Sequence, residues 1–136
     1  MRNTPLLRKA TLFIPTGPSD HLHVVMNDAV FYPLTGYEAV LAINLCSITA
    51  GVPHDSTCEL GKGDHRFVVH PTFADYRHAG VLNATRLQLG IANGELRISD
   101  PVSEALYQRI LDGFSASPAV TPKLKRFIHF ALKIRI

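Results

Sequence analysis

The chain has 136 residues, 46% of them hydrophobic and 18% charged, a balance that supplies one domain with a core and excludes a disordered chain. The formal net charge of +3 permits attraction to nucleic acid without requiring it. No apolar run reaches the roughly 18 residues of a membrane helix. Pro5 and Arg8 interrupt the apolar stretch that an export signal would need, and Cys46 and Cys58 are too few for a disulfide scaffold. The expectation is a cytoplasmic protein with reduced thiols.

In chain order, "RKATLFI" (8–14) and "HLHVVM" (21–26) are rich in β-formers and bounded by turn residues. "YEAVLAINLCSI" (37–48) is almost continuously apolar, as in a central strand covered on both faces, although periodicity alone leaves a helix open. "TCEL" and "RFVV" flank "GKGD" and read as a hairpin. Asn83 can cap a short helix, "ATRLQLGIA", ended by "NG", and "ELRIS" adds a strand. Asp100-Pro101 and Thr121-Pro122 are both helix-start signals. After the first, Val102, Leu106, Ile110 and Phe114 recur every four residues, with Ala105 and Leu111 widening the stripe. After the second, Leu124, Phe127, Ile128 and Ala131 form an apolar face opposite much of the basic charge. That charge, Lys123, Lys125, Arg126, Lys133 and Arg135, is either a solvated helix face or a patch for a phosphate or a partner. The expected architecture is a single domain over 1–136, a small antiparallel β-barrel over about 8–98 with helices over about 100–133.

Titratable side chains crowd into "DSTCELGKGDHRFVVHPTFADY" (55–76). Two chemistries compete for them. Cys58, His65 and His70, with His21 or His23 as a fourth ligand, can hold zinc, but the spacing lacks the short grip of common zinc modules. Cys58 also suits burial as a small hydrophobe. The alternative is proton transfer, since imidazoles titrate near neutral pH and two of them can serve as base and acid at one phosphate. RNA cleavage by the 2′-hydroxyl needs such a pair and a cation for the phosphorane charge. His21, His23, His65 and His70 are the candidates; Lys62, between two glycines, can approach a phosphate, and Tyr76 can stack on a base. The plainer readings are exposed histidines at a strand edge and aromatic packing beneath a loop.

The succession "HLHVVM", "AVLAINLCSI" and "DSTCELGKGDHRFVVHPTFADYRHAGVL" resembles small bacterial and phage proteins distantly similar to the MazF/PemK toxins, over about residues 8–82. The resemblance implies an SH3-like barrel, commonly dimeric, acting as a metal-independent, sequence-selective RNA endonuclease opposed by an antitoxin protein. Ser47 falls near that family's catalytic Ser/Thr position, and Arg66 joins Lys62 and Tyr76 as RNA contacts. His21-Leu22-His23 replaces the arginine-proline that usually precedes the Val-Val strand, so catalysis would rest on histidine. A related branch poisons DNA gyrase with the same barrel and no catalysis, which leaves a second reading: a non-catalytic binding module, gyrase-poison-like or built on a structural zinc. A homodimer is expected, with Phe127, Ile128, Phe130, Leu132 and Ile134 of the C-terminal helix offered to its seam or to an antitoxin.

Overall fold

The apolar run at 37–48 forms the spine of the molecule. A computed structural model describes residues 6–136; Pro5 lies outside the described residues. Strand β4 (Tyr37–Ser47) is buried on both faces over most of its length, which is why the run does not alternate with polar residues. Two arms flank it. On one side, β1 (Thr11–Thr16) and β2 (Ser19–Val25) form a hairpin, and β2 and then β3 (Val30–Tyr32) pair with β4. On the other side run β5 (Glu59–Leu60), β6 (Thr72–Ala74) and β7 (Gly80–Asn83). Helix α1 (Ala84–Ala92) follows, then β8 (Arg97–Ser99) on the free edge of β1, and then α2 (Glu104–Ala116) and α3 (Pro122–Leu132). All strand pairs are antiparallel.

Both arms break where they pass the middle of β4. Val25 pairs with Ala42 and Val30 with Ala39, so residues 26–29 stand against only Val40 and Leu41. Asn27 fills the gap. Its side-chain oxygen accepts from the Leu41 amide at 2.7 Å and its amide nitrogen donates to the Ala39 carbonyl at 3.3 Å, so a buried side chain stands in for the ladder. In the other arm residues 75–79 bulge out between Ala74, paired with Leu45, and Gly80, paired with Ala42. Tyr76 begins a 3-10 turn in this bulge and dives into the core.

Pleating splits the core in two. Leu22, Val24, Leu41, Ile43 and Leu45 meet Leu106, Ile110, Phe114, Phe127 and Ile128 of α2 and α3 on the first face. Leu12, Val25 and Val40 meet Ala84 and Leu87 of α1 on the second. The Tyr76 and Tyr107 hydroxyls donate to the carbonyls of Ile110 and Met26, fixing α2 to the sheet. Gly113 lets it sit close, because a Cβ there would run into the Tyr76 hydroxyl.

Three expectations change. The sheet is open, with order β5-β6-β4-β2-β1-β8, so it is not the expected closed barrel. The edge strands β5 and β8 have only two and three residues. The "GKGD" hairpin does not form either: β5 pairs with β6, and residues 61–70 are a loop. Its turn is closed by the Asp64 carboxylate on the Gly61 amide at 2.8 Å, and Arg109 of α2 grips Asp64 at 2.9 Å and the Glu59 carbonyl at 2.8 Å. Finally, α2 starts after Ser103, whose hydroxyl accepts from the Leu106 amide, and not at Asp100-Pro101. The carbonyl of Asp100 is already engaged by the Thr11 hydroxyl at 2.6 Å. Asn83 and Thr121 do cap α1 and α3.

The role given to Asn27 has a direct consequence. Asn27→Ala leaves the buried Leu41 amide without an acceptor and should cost about 1–3 kcal/mol. Urea denaturation measures it, and Asn27→Asp, which turns the donor facing the Asp28 and Ala39 carbonyls into a buried carboxylate oxygen, should cost at least as much at neutral pH.

Candidate functional site

The gap between the two sheet edges is bridged by side chains, and a pocket lies beside that bridge. His65, in the loop after β5, is buried. Its Nδ1 accepts from the Phe67 amide at 3.2 Å and its Nε2 donates to the Asp100 carbonyl, just beyond β8, at 2.7 Å. Arg66 reaches the Asp100 carboxylate at 3.3 Å, and Phe67 sets its ring edge-to-face on Phe13 of β1 at 5.1 Å. Behind these contacts opens a cavity of about 320 Å³, lined on the sheet side by Phe13, Asp20, Leu22, Leu45 and Ser47 and on the loop side by Phe67, Val68 and His70.

Its apolar floor and polar mouth follow from strand parity. Phe13 stands opposite Leu22 on the first face, and Asp20 shares that face two residues away. Ser47 extends it at the end of β4, opposite Thr72. The Ser47 hydroxyl lies 3.5 Å from His70 Nε2, at the outer limit of a hydrogen bond, so that nitrogen remains open to another group. Arg97, directly opposite Phe13, lies over its ring at 4.4 Å and within 3.7 Å of the Asp20 carboxylate. Arg66 lies over Phe67 at 5.2 Å. Phe67 is 46% exposed. Two aromatic rings, each carrying an arginine, thus frame a histidine, a serine and a carboxylate.

His21 and His23 lead elsewhere. His21 pairs with Ile14 and His23 with Leu12, whose side chains pack on the second face. His21 adjoins the pocket as part of β2, but its Nδ1 bonds to Thr16 Oγ1 at the hairpin end. His23 donates from Nδ1 to the His21 carbonyl at 2.9 Å and stands opposite Asn44. From Asn44 a polar chain runs on: its Nδ2 donates to Cys46 Sγ at 3.2 Å, Cys46 to Asp75 Oδ2 at 3.8 Å, and Asp75 Oδ2 accepts from His78 Nδ1 at 2.7 Å. Asn44 Oδ1 is buried without a partner. Burial and the charge of Asp75 push the Cys46 thiol up to about 11, so it is no thiolate nucleophile at neutral pH. Burial drives the His23 pKa down, and proximity to His21 adds to the effect.

Of the residues expected in the site, Ser47 and His70 come together. His65 lies in the same loop as His70, with both ring nitrogens held by backbone groups. His21 and His23 point to the opposite face. Lys62 is exposed at the tip of the turn, Arg66 lies over the Phe67 ring and near Asp100, and Tyr76, expected to meet RNA, is fully buried against Phe114 instead. The zinc set is not assembled: among the described residues no three His, Cys, Asp or Glu side chains are grouped to hold a metal. Cys58 is a buried thiol, its pKa raised by desolvation. Asp20, Phe13, Phe67 and Arg97 were missed. Strand alternation could have found Asp20 and Phe13 once the β1–β2 hairpin was drawn, but the placement of Phe67 depends on a loop that carries no periodic signal.

No protein family matches the chain, no curated protein matches it, and no solved structure matches it.

Two measurements probe this geometry. His65→Ala removes both backbone contacts and should cost about 1–3 kcal/mol in urea denaturation; an unchanged midpoint would deny His65 its bridging role. For His23, whose folded pKa is depressed, the two states differ little above about pH 6.5. As pH falls through that value the unfolded chain takes the proton first, so stability drops until folded His23 protonates as well. Urea midpoints between pH 8 and pH 5 should fall less steeply for His23→Gln than for the wild type.

Proposed function

We propose that the pocket binds single-stranded RNA and cleaves it without a metal, with His70 and Asp20 as the proton-transfer pair. One observation carries the reading: an imidazole with an uncommitted nitrogen, a hydroxyl and a carboxylate share one cavity, whose lining includes the half-buried Phe13 and the exposed Phe67, each with an arginine over its ring. Phe67 offers a face for a base, which any nucleotide can use, and Arg66 and Arg97 supply cations beside it. The pairs of those arginines with Asp100 and Asp20 are exposed and weak, so exchange for a phosphate costs little.

In the proposed reaction the Asp20 carboxylate takes the proton of a 2′-hydroxyl. The oxygen attacks the adjacent phosphorus, the P–O5′ bond breaks, and protonated His70 delivers its proton to the departing 5′ oxygen. The products are a 2′,3′-cyclic phosphate and a 5′-hydroxyl, and the two side chains exchange protons with water to reset. Arg97 and the Ser47 hydroxyl stabilise the charge on the non-bridging oxygens. His65 holds the loop and transfers no proton. The resemblance to MazF/PemK-like proteins adds support through the position of Ser47, and with it a toxin-like role, an antitoxin partner and a homodimer that lengthens the RNA footprint become part of the proposal.

Purified protein incubated with single-stranded RNA in EDTA tests the chemistry. Cleavage leaving cyclic-phosphate ends is expected, reduced about 10²–10⁴-fold in His70→Ala and in Asp20→Asn. A folded wild type that binds RNA without cutting it would replace this reading with the non-catalytic module. Variants that cleave at the wild-type rate would move the chemistry elsewhere, the His23–Asp75–His78 face being the first place to look.

A further inference from the structure

A second cavity lies away from the RNA pocket, between the β3–β4 turn and α3. It measures about 470 Å³ and is lined by Tyr32, Pro33, Leu34, Arg126, His129, Phe130 and Lys133. These residues come from only two short segments, and the cavity is an open cleft whose volume falls within the size range of small-molecule sites. Its walls are apolar and built firmly. Tyr32 is anchored between Phe127 at 4.8 Å and Phe130 at 5.0 Å, and the turn over Leu34 is closed by the Thr35 and Gly36 amides on the Tyr32 carbonyl. Leu34 is 67% exposed, which is costly for a large apolar side chain unless something covers it.

The rim is basic, and the acidic residues nearest in sequence to its turn are Asp28 and Glu38, just outside the lining. Residues 29–37 contain no acidic residue, and none follows Asp112. Among the described residues Arg126 enters no ion pair. Lys133 caps the C-terminal end of α3, where the helix dipole already favours a cation, and lies over Phe130 at 5.4 Å. Arg126 stands two turns back from that end and has no such compensation. An apolar body thus finds walls here, and an anionic head finds an unneutralised guanidinium.

We infer that this cavity is a binding site for a small anionic amphiphile: an aliphatic or aromatic body carrying one carboxylate, sulfonate or phosphate. The ligand seats its body against Tyr32, Leu34 and Phe130 and its head at Arg126, with Lys133 and His129 beside it. A free inorganic anion leaves Leu34 exposed, and a neutral lipid leaves Arg126 unpaired. The site is independent of the proposed RNA chemistry, which lies between the β1–β2 hairpin and the 61–70 loop.

Anilinonaphthalene sulfonate, whose fluorescence rises in apolar surroundings, is the probe. The full chain should bind it saturably at one site, and dodecanoate should displace it. Dodecyltrimethylammonium, with the same tail and the opposite head, and inorganic phosphate should not. Arg126→Glu and Leu34→Asp alter exposed side chains, so the fold should persist, as circular dichroism and the urea midpoint will confirm. Each should weaken the dye by about fivefold or more, a margin of roughly 1 kcal/mol. No saturable binding, equal displacement by both head groups, or wild-type affinity in both folded variants would overturn the inference. Dye binding lost as sedimentation shows self-association would assign the cavity to a second copy of the chain.

Discussion

The bridge made by His65 is the contact on which the working end of this protein depends. An open sheet with short edges leaves the first-face core exposed along one side, where a barrel would hydrogen-bond its last strand to its first. Here one imidazole accepts from the Phe67 amide and donates to the Asp100 carbonyl, so it spans the two edges without a strand. The Asp100 carbonyl accepts from Thr11 as well, which ties the same point to β1. With the loop held, Val68 is buried, Phe67 meets Phe13, and His70 arrives beside Ser47. A histidine fully engaged in this way is a positioning residue for the pocket it helps to enclose.

The second constraint is the length of β4. It is buried on both faces, and each flanking arm follows it only by breaking halfway. One break is repaired by the Asn27 side chain, and the other is filled by Tyr76 and its contacts with α2. The result is that β2 pairs with β4 as far as Asn44 and β6 from Leu45 to Ser47, so that the two strands carry different chemistry to its two sides. Residues at even positions of β2 face the pocket; of the odd positions, His21 bonds to Thr16 at the hairpin end and His23 stands opposite Asn44. Period-two geometry thus separates side chains adjacent in sequence by the thickness of the sheet.

That separation also marks the limit of what the sequence made legible. The central strand, the β1–β2 pair and the caps at Asn83 and Thr121 were readable because each rests on a local pattern: an unbroken apolar run, β-formers between turn residues, a side chain accepting from an amide three residues on. That the four histidines do not converge was not, since it turns on which face each residue takes and on how a ten-residue loop is held. Tyr76 shows the difficulty best. Next to charged and polar neighbours in "ADYRH", it reads either as a base-stacking aromatic or as packing beneath a loop; a non-local bulge sends it deep into the core, where burial pushes its phenol pKa upward and the Ile110 carbonyl accepts its hydrogen bond. "GKGDHRFVV" misled in the same way. Its turn is real, but Arg109 and His65, rather than strand pairing, decide where the chain goes next.

Charge placement separates the two surfaces further. At the pocket each arginine lies over a ring and near a carboxylate, so its guanidinium is biased towards the pocket while its weak, exposed ion pair remains exchangeable. Such an arrangement selects by geometry: a ligand must bring its anion within reach of a guanidinium so biased. On α3 no carboxylate among the described residues holds Arg126, and the proposed selectivity there rests on combining that charge with an apolar cavity. Salt therefore acts differently on the two. It competes directly with any phosphate that replaces the carboxylates at the pocket, where several exposed charges contribute together. At the α3 cavity it screens one head group and leaves the burial of Leu34 and Phe130 untouched, because the transfer of apolar surface from water does not depend on a Debye length.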